Sequence, residues 1–185
     1  MGVLAHDLRV PVELLETLER LDLRYEVIDG QILVNARPEW DHCDSGGNLF
    51  ALLHTAAPEE WGVVMDFAYY YDGLVDPSTS NHSVADITVV RRDAVEKAGA
   101  IAPPALLVEV LSPSTSARDL TVKRRIYERN AVPTYVLLHP ALRTLTVLEL
   151  QDGGYVETHQ AGPPSVVRLE RPFPVDIDLA RVFRT

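Results

Sequence analysis

The sequence predicts an α/β fold: a mixed central β-sheet flanked by helices, extended by antiparallel strands towards the C-terminal end. Three observations lead there. A helical apolar stripe and a hairpin signal open the chain, β-prone runs alternate with further helical segments through its middle, and short strands divided by turn signals fill its last third. One middle run, "LLVEVL", has the near-continuous apolar character of a strand buried on both faces, yet Glu109 stands inside it. A lone ionised carboxylate in that position is costly unless it is paired or bound to a metal.

Pro11 suits the first turn of a helix, and Leu14, Leu15, Leu18 and Leu21 supply an apolar stripe, so helix one is expected over about 11–21. In "RYEVIDGQILVN", two β-prone runs surround Asp29-Gly30, a strong hairpin signal. After Pro38 a second helix is expected, weakened by Gly46 and Gly47 and ended near Pro58. The runs "WGVVMDFAYYY" and "ADITVVRR" read as strands separated by a long polar loop, "DGLVDPSTSNHS". Beyond "LLVEVL", Ser116 and Asp119 stand at capping-box spacing for a helix whose Leu120, Ile126 and Tyr127 can face the core. The strands "PTYVLLHP", "TLTVLEL", "GGYVETHQ" and "SVVRLE" follow. No repeat, low-complexity tract or linker divides the chain, so residues 1–185 are expected to form one domain.

Composition narrows the function classes. With 46% apolar residues the chain suits a globular core, and no apolar run approaches the length needed to cross a bilayer. The N-terminus lacks a basic segment followed by an apolar stretch, which leads to the expectation of a cytoplasmic protein without a membrane partner. The single cysteine, Cys43, leaves no intrachain disulfide framework and no Cys-rich zinc site. A net charge of −10 opposes general phosphate neutralisation. Positive charge is dense only in "VKRRIYER" and, more weakly, at Arg91 and Arg92, so any nucleic-acid contact must be local and metal-assisted. P-loop, GxGxxG, HExxH and GxSxG motifs are absent.

Chemistry concentrates around two acids. Asp86 opens the strand "DITVV", and the segment 92–103 is short enough for that strand and the Glu109 strand to be sheet neighbours. Alternation groups Glu109 with Leu107 and Leu111, and Asp86 with Thr88 and Val90; if these faces coincide, two carboxylates converge and a divalent cation can neutralise them. Oxygen ligands point to Mg²⁺ or Mn²⁺. The plainer alternative makes Asp86 a strand-start residue near the surface and pairs Glu109 with an arginine. Asp119, Lys123 and Tyr127 share a helical stripe that can return over the acids, although spacing alone favours an Asp119–Lys123 surface ion pair. Glu26 could be the solvent side of an edge strand, and His42 an ordinary exposed residue at a helix start; neither rises above background on spacing.

Together, "YEVIDGQIL", the histidine after "RPEWD", the Asp of "ADITVV", "LLVEVLSPST", Asp119, Lys123, Tyr127 and "VPTYVLLHP" resemble the Uma-two family of restriction-endonuclease-like proteins, a branch of the PD-(D/E)XK nuclease superfamily. The resemblance implies a restriction-endonuclease-like core and a metal-dependent endonuclease that hydrolyses nucleic-acid phosphodiester bonds, with DNA as the expected partner. It assigns Asp86 and Glu109 to the metal, with the Val110 carbonyl as a further ligand. Glu26 matches the upstream acid and His42 a recurrent histidine. The superfamily's lysine position is occupied by Leu111, and Lys123 matches the lysine used instead; Ala85 stands where the motif has proline. The competing reading is a non-catalytic interaction or regulatory protein that keeps the fold and presents an acidic surface. Under either reading the C-terminal antiparallel strands could support a homodimer.

Overall fold

The computed structural model of the protein describes residues 10–184 except 22, 36, 73–79, 97–98 and 113–118. The first helix, α1 (Val12–Arg20), buries Leu15 and Leu18, whereas Leu14 and Leu21 are exposed; the apolar stripe is narrower than the leucine pattern suggests. Strands β1 (Tyr25–Ile28) and β2 (Gln31–Val34) form the expected hairpin, its turn made by Asp29 and Gly30 at φ 50° and 74°. Both turn residues are left-handed, as a tight two-residue hairpin turn requires. Helix α2 (Trp40–Ala56) follows, ending before Pro58 as expected.

Strands β3 (Trp61–Tyr70) and β4 (His82–Arg91) pair antiparallel along most of their lengths. β4 begins earlier than the apolar run suggests, because His82 and Ser83 are themselves buried, so Asp86 lies mid-strand rather than at a strand start. The residues between β4 and the Glu109 strand form a short 3₁₀ turn (Arg92–Ala94) and two minimal strands, β5 (Val95–Glu96) and β6 (Gly99–Ala100). Strand β7 (Leu106–Val110) then lies antiparallel to β4 and parallel to β8 (Thr134–His139).

The parallel β7–β8 pair needs a crossover, and helix α3 (Arg124–Arg129) supplies it, entered through a π-helical turn at Asp119–Lys123. Ile126 and Tyr127 face the core as expected; Leu120 is exposed. The capping pair expected at Ser116 and Asp119 and the long loop after β3 fall on residues 113–118 and 73–79, wholly or in part outside the described residues. Strands β9 (Thr144–Gln151) and β10 (Gly154–Ala161) continue the sheet antiparallel, giving the order β10-β9-β8-β7-β4-β3-β6-β5, with the β1–β2 hairpin joined to β4 at Val27 and His82. β11 (Val166–Leu169) and β12 (Val175–Asp178) form a separate ribbon, followed by the one-turn helix α4 (Leu179–Val182). The sequence reading had no counterpart for β12 and α4.

Two cores cover the two faces of the sheet. Val108 and Val110 of β7 pack with Leu49 and Leu53 of α2 and with the β11–β12 ribbon. Leu107 and Leu111 pack with Ile126 and Tyr127 of α3 on the other face. A Cβ on Gly46 would come within 3.2 Å of the Val110 side chain, so the glycine expected to weaken α2 instead lets it seat closely on β7.

Candidate active site

The β4–β7 ladder pairs Ile87 with Val108, Thr88 with Leu107 and Val89 with Leu106, so Asp86 and Glu109 each stand one residue beyond its end. Asp86 turns to His42 of α2, whereas Glu109 turns to Lys123 and Tyr127 on the segment that leads through α3. Asp86 is 8% exposed and accepts a hydrogen bond at Oδ2 from the Val110 backbone N–H at 2.7 Å. His42 Nε2, carried on the first turn of α2, lies 3.4 Å from the same oxygen. Burial alone would raise the Asp86 pKa. The His42 contact, the Val110 N–H and the Lys123 charge outweigh it and hold the carboxyl below its ordinary 3.8. The surface alternative for Asp86 is excluded by its burial, and His42 belongs to the site rather than to an exposed helix end.

Glu109, 3% exposed, finds its partner in a lysine rather than an arginine: Lys123 Nζ donates to its Oε1 at 2.8 Å. The same ammonium donates to the Val84 carbonyl at 3.3 Å and lies 3.0 Å from Glu26 Oε1. Lys123 is only 3% exposed, so its charge is buried rather than at the surface; the side chain of Asp119 lies outside the described residues. Tyr127, one turn beyond Lys123, donates its hydroxyl to Glu109 Oε1 at 2.9 Å. Burial, reinforced by the Glu109 charge, pushes the Tyr127 hydroxyl well above its ordinary range, so it remains a donor. Glu26 is fully buried rather than on a solvent edge: the Val84 N–H donates to its Oε1 at 2.8 Å and Asn35 Nδ2 to its Oε2 at 3.3 Å.

Two residues escaped the sequence reading. Asp66 lies in β3 at φ 54°, and the ladder that pairs Met65 with Ile87 and Phe67 with Ala85 sets it across from Asp86. Arg24 bridges the two acids, with one guanidinium nitrogen 2.8 Å from Asp66 Oδ1 and the other 3.5 Å from Asp86 Oδ1. Burial, opposed by Arg24 and aided by the Asp86 charge, raises the Asp66 pKa above 3.8. The signal was available, since Asp66 interrupts the β-prone "VVMDFAYY" much as Glu109 interrupts "LLVEVL".

The site thus holds Glu26, Glu109, Asp86 and Asp66 against the permanent cations Lys123 and Arg24. Among these described side chains four carboxylates face two permanent cations. Hard carboxylate oxygens suit Mg²⁺ or Mn²⁺, and Mg²⁺ commonly takes only one or two carboxylates and keeps waters. Among the described residues no three His, Cys, Asp or Glu side chains already form a metal cage.

Comparison with known proteins bears on the whole chain. A family model described as "Putative restriction endonuclease", Uma2, matches residues 12–181. A crystal structure described as "a putative nuclease belonging to DUF820" from Anabaena variabilis superposes with a TM-score of 0.64 at 18% sequence identity, covering 86% of this chain and 89% of that one. At that identity the likeness shows a shared fold. No curated protein matches the chain. Among the described residues no helix is long and apolar enough to cross a membrane.

Proposed function

Given that the chain belongs to the Uma2 family, we propose that it is a divalent-metal-dependent endonuclease whose substrate is nucleic acid, with DNA favoured by the family description. The observation that carries this reading is the excess of buried carboxylate around Asp86, Glu109 and Lys123. Asp86, Glu109 and the Val110 carbonyl would hold Mg²⁺ or Mn²⁺. When bound, the ion supplies Lewis-acid activation and neutralises charge on the phosphodiester. His42 and the Val110 N–H fix the Asp86 carboxylate, and Tyr127 fixes Glu109. Lys123 orients the attacking water or stabilises the negative charge that grows on phosphate, while Glu26 keeps its ammonium in place. Water adds to phosphorus, the bond to the leaving sugar oxygen breaks, and that oxygen takes up a proton.

Leu111 leaves the strand position of the usual lysine empty, and the π-helical turn before α3 brings Lys123 to Glu109 from another element. This supports a relocated rather than a missing lysine. A homodimer through the C-terminal strands is part of the same proposal, and sedimentation of the purified protein tests it. The catalytic reading is tested by incubating plasmid, single-stranded DNA and RNA with the protein in Mn²⁺. Cleavage that disappears with EDTA and in Asp86→Asn and Glu109→Gln is the expected result. Cleavage unaffected by both substitutions, or none on any substrate, would sink it.

A further inference from the structure

Arg24 takes no part in the proposed catalysis, and its contacts are unequal. It is held closely by Asp66, at 2.8 Å, and loosely by Asp86, at 3.5 Å. Its Nε is buried without a hydrogen-bond partner, so the guanidinium is not fully satisfied where it stands. The Arg24 and Asp66 side chains are 32% and 46% exposed, within reach of ions from solvent. Asp66 adopts a left-handed conformation that non-glycine residues seldom take within a strand, and such strain collects at sites where a side chain must be aimed. Asp66 and Asp86 share the one Arg24 guanidinium, and two like charges held that close repel unless a cation lies between them.

We propose that Arg24 is a built-in counter-cation that competes with the divalent ion for Asp86, and that Asp66 is the anchor that retains it when the ion binds. The proposal rests on the metal reading of Asp86 and adds to it a regulation of ion loading. A guanidinium and a divalent cation cannot share one carboxylate oxygen at close range without repulsion. Metal entry must therefore break the longer, weaker Asp86 contact and leave the shorter Asp66 contact intact. Arg24 sets a threshold in ion concentration, below which Asp86 stays neutralised from within the chain.

The test is Mn²⁺ binding to the full chain, followed by calorimetry and by the rise in melting temperature, with Arg24→Gln and Arg24→Lys beside the wild type. Arg24→Gln should tighten Mn²⁺ binding by about tenfold, the order expected when a unit positive charge is removed from beside a divalent ion. Arg24→Lys, which keeps the charge, should stay near the wild type. Asp66→Asn should weaken binding by freeing Arg24 for Asp86, and in the Arg24→Gln background it should have no effect. If the wild type binds Mn²⁺ and Arg24→Gln binds it equally or more weakly, the competition is refuted while the metal reading stands. Loss of binding in the double variant relative to Arg24→Gln would make Asp66 a direct ligand and refute its role as anchor. Absence of Mn²⁺ binding in the wild type and every variant would overturn both.

Discussion

Lys123 is the residue on which the site's electrostatics turns, because one buried ammonium serves two buried carboxylates, Glu26 and Glu109. Breaking a buried ion pair from one side leaves an uncompensated charge and costs about 3–5 kcal/mol. Lys123→Met should therefore lower unfolding stability in urea by that order at neutral pH, and adding Glu109→Gln should recover part of the loss. Were Lys123 a surface residue, the single substitution would change stability by less than about 1 kcal/mol. Tyr127→Phe removes only one hydrogen bond to Glu109 and should cost about 1–3 kcal/mol by the same measurement. Glu109 was legible in the sequence because an acid within an apolar run is anomalous wherever it occurs. Glu26 was not, since a short hairpin strand looks the same from its sequence whether a lysine from a distant helix covers it or water does. Arg24 was invisible for a related reason: a coil residue acquires its partners only when β3 and β4 are laid beside it.

At the scale of elements, the hairpin, α2 and the β4–β7 neighbourhood followed from pattern, because turn chemistry and alternation are local properties. The start of β4 did not, since the burial of His82 and Ser83 depends on the tertiary packing around them. The short ribbon strand β12 and the one-turn helix α4 carry too few residues to establish a period. Gly46 shows how a local reading can miss a packing role: a helix weakener by propensity is what permits α2 to approach Val110. Gly46→Leu should overpack that contact, destabilise by about 1–3 kcal/mol and move His42 away from Asp86. Denaturant midpoints measure the first effect. The second would appear as changed NMR chemical shifts of the His42 ring; an unchanged ring together with full stability would show that α2 does not depend on the close approach.

The whole molecule carries a net charge of −10, and the proposed activity therefore requires nucleic acid to be gripped locally. Its core is rich in buried tyrosines, with a consequence for pH. Burial pushes the Tyr69 hydroxyl up from 10.0 to about 12 and raises those of Tyr71 and Tyr155 as well. A raised folded-state pKa gives stability that is complete below the unfolded value and is lost as pH climbs through the folded one. Stability should accordingly fall from about pH 10 to about pH 12, and Tyr69→Phe should flatten that fall by up to about 1.4 kcal/mol per pH unit, measured by urea unfolding at each pH. The α/β architecture was readable because it rests on the order and periodicity of elements. The pairing of Lys123 with Glu26 and Glu109 became visible only once the crossover through α3 was in place. The central claim, that Asp86 and Glu109 hold a divalent ion beside Lys123, is tested most directly by a crystal of the protein soaked in Mn²⁺. An anomalous peak within about 2.2 Å of oxygens from both carboxylates is the predicted result. A soaked crystal with no ion there, and with Glu109 still held by Lys123, would contradict it.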